Sequence, residues 1–352
     1  MSFFEPGVES ARSVNMALIL RAVVTQGAIS RSELVLQTGL SRKTVGAVVG
    51  ELARRNLVEE SDTAARGVGR PSFTVRPADS VAALSVCLTL GSVRIAVVGL
   101  DGVVQERVDY RSDRSATPDE LVNAIVAVAE AMGLSRSRKV IGIGLVVPEP
   151  GLGGDEAVGD AAASALGIRL GLPVVLATAG TAGARAESIF GAASGAQEMI
   201  YLRCGPDGRL AGGIVTGGAI VLGHRGRAGC FTPVAGRTAS TGRAQSVEDN
   251  VLSVLDVLGP VLDPEVVVLG GSLVRSVEAV RAGVERRRSA ADDTRGAGPA
   301  IIGSALGDDD LFIGAAQSVF EGVLSDPRNF DAGRLGAEGA HPIDSAPALT
   351  RV

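Results

Sequence analysis

The chain has 352 residues, 46% apolar and 21% charged, which is enough for two or three domains, each with its own core. Aromatic residues make up only 3% and Trp is absent, so that core is expected to be aliphatic. No stretch approaches the ~20 uncharged apolar residues of a membrane span, and the start MSFFEPGVES has no basic region followed by an apolar run. The expectation is a cytoplasmic protein with no membrane partner.

The net charge of −5 is unevenly placed. Residues 1–76 hold ten Lys and Arg against seven acids (+3), and the remainder holds 24 against 32 (−8). A basic end on an acidic body suits a nucleic-acid contact confined to one module. Cys87, Cys204 and Cys230 lie far apart, without CxxC or CxC spacing. They read as buried small apolar residues, not as a zinc knuckle or a disulfide framework.

In chain order, residues 1–12 read as a disordered lead. Residues 13–26 carry apolar positions at helical spacing, and Gly27 stops the helix. Ser30 with Glu33 three positions on forms a capping box for a short helix, 31–37. Thr38-Gly39-Leu40 makes a tight turn, and Ser41 caps a second helix with Val45, Val48, Val49 and Leu52 on one face. A strand at 57–60, a polar Gly-rich loop and a return strand at 71–75 complete a winged helix-turn-helix over residues 13–77. From about 80 to 324 the pattern is α/β: hairpin strands followed by strand–helix alternation, run twice, a duplicated architecture of two lobes. Helices are expected at 118–132, 156–166, 179–192, 245–259, 271–286 and 311–323. The segments 287–298 and 325–352 read as a flexible loop and a disordered tail.

The second helix of a helix-turn-helix enters the major groove by its first turn, here Ser41, Arg42, Lys43 and Thr44, with Ala47 one turn on. Arg and Lys donate to guanine or phosphate, and Thr serves either purpose. The wing tip Arg66-Gly67-Val68-Gly69-Arg70-Pro71 adds two guanidiniums that reach a minor groove or backbone. The DNA-binding set is therefore Ser41, Arg42, Lys43, Thr44, Ala47, Arg66, Arg70 and Pro71. No P-loop is present, and Gly142-Ile143-Gly144 lacks the third glycine of a dinucleotide fingerprint. His224 and His341 have no nearby nucleophile or metal partner, and Asp308-Asp309-Asp310 reads as a helix cap rather than a cation site.

The segment ILRAVVTQGAISRSELVLQTGLSRKTVGAVVGELARRNLVEE, followed by GRPS, resembles the N-terminal module of ROK-family regulators (repressors, open reading frames and kinases). IGIGLVVPEPG, ARAESIFGAASGAQEMIYLRCG, GGIVTGGAIVLGHRGRAG, LDPEVVVLGGSL and LGDDDLFIGAA resemble the family's later motifs in order, so the likeness spans about residues 13–323. It implies an actin-like, sugar-kinase-like pair of α/β lobes with a cleft between them. Where the family's kinases carry an Asp-led, glycine-paired phosphate loop, this chain has Cys87-Leu88-Thr89-Leu90-Gly91-Ser92. Where they carry the Asp that takes the sugar proton, it has Ala179, which accepts none. Their sugar clamp reads Gly229-Cys230-Phe231-Thr232-Pro233 here, and their zinc segment is missing.

The resemblance thus implies a transcriptional regulator, expected as a repressor, with a catalytically dead body. No catalytic residue, cofactor or metal is expected. Its partners would be a double-stranded DNA operator, a second copy in a homodimer or higher homo-oligomer, and possible effectors such as a sugar. The cleft residues implied are Pro148, Glu149, Thr178, Thr181, Arg203 and Cys230. An active sugar kinase with an added DNA module, and a protein-interaction scaffold, are the alternatives.

Overall fold

The computed structural model describes residues 8–62, 73–89, 92–111, 117–132, 139–147, 156–205, 209–224, 226, 228–231, 246–290 and 298–330. The first unit comprises α1 (Val8–Gln26), β1 (Ile29–Ser30), α2 (Arg31–Thr38), α3 (Arg42–Arg54), β2 (Val58–Asp62) and β3 (Phe73–Pro77). Each boundary has a local cause. Gly27 ends α1 with φ of +72°, in the left-handed region where a Cβ is disfavoured. The Ser30–Glu33 capping box is formed in both directions, at 3.2 and 2.8 Å, and Gly39 closes α2 with φ of +68°. Two details differ from expectation. Residues 8–12, read as a disordered lead, are the first turns of α1. The sheet of this unit is also three-stranded where two strands were expected, in the order β1-β3-β2, because Ile29 pairs with Val75. A two-residue strand is too short to show a period of two.

The body contains two five-stranded sheets. The first holds β4 (Val81–Thr89), β5 (Ser92–Gly99), β6 (Val104–Arg111), β7 (Lys139–Val147) and β8 (Val174–Thr178). The second holds β9 (Met199–Cys204), β10 (Leu210–Thr216), β11 (Ala219–Ile220), β12 (Val266–Gly271) and β13 (Ala300–Gly303). Their orders, β6-β5-β4-β7-β8 and β11-β10-β9-β12-β13, are one order used twice. In each, three antiparallel strands lead into two parallel ones. The parallel strands follow helical crossovers: α4 (Pro118–Ala131) and α5 (Glu156–Leu170) in the first sheet, α7 (Val247–Leu262) and α8 (Val277–Ala290) in the second.

Alternation along the strands divides the core into layers. On β4, Ala82, Leu84 and Val86 face α4 and α5, whereas Ala83 and Cys87 face the interior helices. Ile200, Leu202, Val267 and Leu269 of the second sheet pack on α7 and α8. Between the sheets lie α6 (Ala179–Ile189) and α9 (Asp310–Ser325). They approach to backbone contact: a Cβ on Gly314 would sit 1.8 Å from the Ala182 carbonyl oxygen, and one on Gly144 2.3 Å from that of Ala315. The Gly142-Ile143-Gly144 pair therefore serves packing within β7.

Only Ala78–Ser80 separate β3 from β4, and Ala78 is buried. Met16, Ile19, Leu20 and Leu52 share one core with Phe312, Phe320, Leu324 and Phe330. The tail expected to be disordered from 325 begins with a 3-10 turn, Pro327–Asn329, because Phe330 enters that core. β13 was not anticipated, and the helix expected over 271–286 is a 3-10 turn (Ser272–Ser276) followed by α8. Among the described residues no helix is long and apolar enough to cross a membrane.

Candidate nucleic-acid interface

α3 lies with Val45, Val48, Val49, Glu51 and Leu52 buried, which turns Arg42, Lys43 and Ala47 outward. Ser41 starts the helix: its Oγ accepts from the Thr44 N–H at 3.1 Å and lies 2.8 Å from the Thr44 Oγ1. Of the five helix residues expected to face DNA, Ser41 and Thr44 thus build the helix start and present Arg42 and Lys43. Arg66, Arg70 and Pro71 lie outside the described residues.

The charges of this unit are sorted. Arg12, Arg54 and Arg55 all reach Glu51, Arg31 reaches Glu60, Arg76 reaches Glu59 and Asp79, and Arg21 reaches Glu321. Arg42 and Lys43 face no carboxylate among the described residues. Unpaired cations on an exposed helix start are free to meet an external anion. Burial pushes the Glu51 carboxyl up, but the donors on Arg55 and Arg54 outweigh it and hold it below the usual carboxylate range.

This unit is fixed to the body at the end of α3 and along α1. Arg55 Nη1 donates to the carbonyl oxygens of Arg328 and Phe330 at 2.7 and 3.1 Å. Arg21 of α1 donates to Glu321 of α9 at 2.5 Å, and Arg185 of α6 approaches the same carboxylate at 3.4 Å.

The residues implied for the cleft have other partners. Thr178 and Thr181 form a buried capping box at the start of α6: the Thr181 N–H donates to Thr178 Oγ1 at 3.2 Å, and the Thr178 N–H to Thr181 Oγ1 at 3.0 Å. Ala179 is the first residue of that helix. Arg203 is buried and donates from Nη1 to both Asp310 oxygens at 2.8 Å. The Tyr201 hydroxyl donates to the same carboxylate, and so does the Leu311 N–H, at 2.7 Å. Burial raises the Asp310 pKa against the pull of Arg203, and it raises that of Tyr201 as well. Cys230 is half-buried; Pro148 and Glu149 lie outside the described residues.

The acidic triplet is therefore not a simple cap. Asp309 occupies the N-cap position of α9 without a side-chain cap bond and pairs with Arg107 at 3.1 Å, while Asp310 is the buried anion of a cluster. A second buried carboxylate, Glu187, accepts from the Ala192 N–H, the Ser304 hydroxyl and the Leu306 N–H, tying the end of α6 to the loop after β13. Neither cluster was visible in the sequence. The one available signal is the placement of Tyr201 and Arg203 two apart, hence on one face of an otherwise apolar strand. Cys87, which the resemblance sets where the kinases' phosphate loop begins, is buried, and burial pushes its thiol up to about 12. Among the described residues no three metal-ligating side chains converge.

Paired sheets of one strand order, joined through central helices and carrying a helical N-terminal unit, define an actin-like α/β protein with an added head. Solved structures place it further: the fold is that of ROK proteins. A ROK family transcriptional regulator, described as a homolog of the E. coli MLC protein, superposes with a TM-score of 0.63 at 18% identity, over 89% of this chain and 98% of its own. A ROK glucokinase from Streptomyces griseus, in complex with glucose and AMPPNP, gives 0.52 at 18% identity, over 67% and 98%. A ROK hexokinase from Thermus thermophilus gives 0.52 at 22% identity, over 69% and 99%. No protein family and no curated protein matches the chain in sequence.

Proposed function

We propose that the protein is a DNA-binding transcriptional regulator, acting as a repressor, whose N-terminal unit is a winged helix-turn-helix and whose sugar-kinase-like body carries no kinase activity. The observation that carries this reading is the charge sorting on α3, where Arg42 and Lys43 alone among the described basic residues of the head are left without a carboxylate. The regulator fold covers more of this chain than the kinase folds do, which also supports it. In a twofold dimer the two α3 helices would meet successive major-groove faces about 34 Å apart, so the operator is expected to be palindromic. The test is a gel shift with duplex fragments from beside the protein's own gene. Arg42→Ala is expected to cost about 1–3 kcal/mol of binding free energy. Unchanged binding by both Arg42→Ala and Lys43→Ala would misplace the reading helix.

The glucokinase and hexokinase likenesses favour one competitor, an active sugar kinase. Against it stand Ala179, which has no group to take a proton from a sugar hydroxyl, and Cys87, a buried neutral thiol where a phosphate loop would begin. Thr178, Thr181 and Arg203 are engaged internally, leaving few partners for hexose hydroxyls. Sugar-dependent ADP release in a coupled assay is expected to stay at blank level. Calorimetry is expected to find no micromolar glucose binding.

A further inference from the structure

Two guanidiniums and one carboxylate meet where the head joins the body. Arg21 of α1 donates from Nη2 to Glu321 Oε1 at 2.5 Å and to the Ser325 hydroxyl at 3.0 Å. Arg185 of α6 reaches the other oxygen, Oε2, from Nη1 at 3.4 Å. Among the described residues that is the one hydrogen bond the Arg185 guanidinium makes. Its side chain is 11% exposed, against 45% for Arg21 and 41% for Glu321, so Arg185 forms the floor of a site whose rim is open.

A guanidinium carries five N–H donors, and buried charge is kept where it is paired. Arg203, similarly buried, meets both oxygens of Asp310 at 2.8 Å. Arg185 has neither so close a contact nor a carboxylate to itself. The other carboxylate of α6, Glu187, is turned to Ser304 and Leu306. Burial lowers the Arg185 pKa; Glu321 pulls it back and Arg21 lowers it further. The junction therefore carries one positive charge in excess, spread over two forks of donors.

We infer that this junction binds a tetrahedral oxyanion, phosphate as the free ion or as the end group of a small metabolite, between the remaining N–H groups of Arg185 and Arg21. Each planar guanidinium pairs with two oxygens of such an anion, a geometry that a spherical chloride does not offer. Arg21 belongs to the head and Arg185 to the body, so the bound anion ties α1 to α6. The site uses no residue of α3 and none of those implied for the cleft, and it does not depend on the DNA-binding reading.

The test is phosphate binding by the full chain, followed by phosphorus NMR and by hydrogen exchange in α1, with chloride as the reference at equal ionic strength. Phosphate is kept to about 10 mM, where its general stabilising effect as an excluded salt is small. The wild type is expected to bind saturably and to slow α1 exchange several-fold beyond chloride. Arg21→Gln is expected to weaken binding at least tenfold. It alters an exposed side chain, so it serves even where Arg185→Gln fails to fold. Glu321→Gln removes the competing negative charge and is expected to bind phosphate several-fold more tightly, a gain that a purely structural ion pair would not give. Glycerol 3-phosphate separates the sources: tighter binding than inorganic phosphate assigns the site to a metabolite, and equal or weaker binding assigns it to the free ion. Phosphate indistinguishable from chloride, binding unchanged by Arg21→Gln, or weaker binding in Glu321→Gln would overturn the inference.

Discussion

Three guanidiniums converge on Glu51, those of Arg12, Arg54 and Arg55, and Arg55 carries the link onward to the carbonyls of Arg328 and Phe330. Glu51→Gln leaves three cations crowded around a neutral amide and is expected to destabilise the protein by about 1–3 kcal/mol. Because the folded-state pKa of Glu51 lies below its unfolded value of 4.5, its contribution is present above that value and is lost as pH falls through the folded one. Unfolding midpoints of wild type and Glu51→Gln should therefore differ at neutral pH and converge in acid; a constant gap would contradict this. At Asp310 the expected cost is larger. Asp310→Asn strands the buried Arg203 charge and should cost about 3–5 kcal/mol in urea unfolding, whereas Arg203→Met combined with Asp310→Leu should recover most of it. The Ser30–Glu33 box was legible because both partners fall within one helical turn. The Asp310 cluster was not, since its partners stand more than a hundred residues away and only the folded chain brings them together.

Helix α9 joins the parts of the molecule. Its first turn holds Asp310 against the second sheet, and the Phe312 carbonyl accepts from Ser85 of the first at 2.7 Å. Its last turns carry Glu321, shared by Arg21 of the head and Arg185 of α6. Gly314 sits where a methyl would strike the Ala182 carbonyl, so Gly314→Ala is expected to force α6 and α9 apart at about 1–3 kcal/mol. Glu321→Gln removes the anion between Arg21 and Arg185; hydrogen exchange in α1 should quicken, while exchange in β12, distant from that contact, stays unchanged. Exchange in α1 that stays at the wild-type rate would show that Glu321 does not hold the head. Long elements with clear periods, such as α3, β7 and α9, were readable from the sequence. The two-residue β1 and four-residue β13 were not, since they are strands only through pairing with Val75 and with β12.

At the scale of the whole chain, the sequence showed strand–helix alternation twice over, and the structure resolves it into one strand order repeated. The basic head on an acidic body was also legible from charge counts. The sorting of that charge was not, because which arginines find a carboxylate depends on tertiary placement. It leaves Arg42 and Lys43 open on α3 and fixes most other head cations in pairs. The most direct test is therefore the salt dependence of duplex binding by fluorescence anisotropy, wild type against the Arg42→Ala/Lys43→Ala double variant. The account predicts tight wild-type binding that falls steeply with salt, and a double variant that binds more weakly with a slope shallower by about one to two. Wild-type protein that ignores duplex DNA at low salt, or a double variant with unchanged affinity and slope, would contradict it.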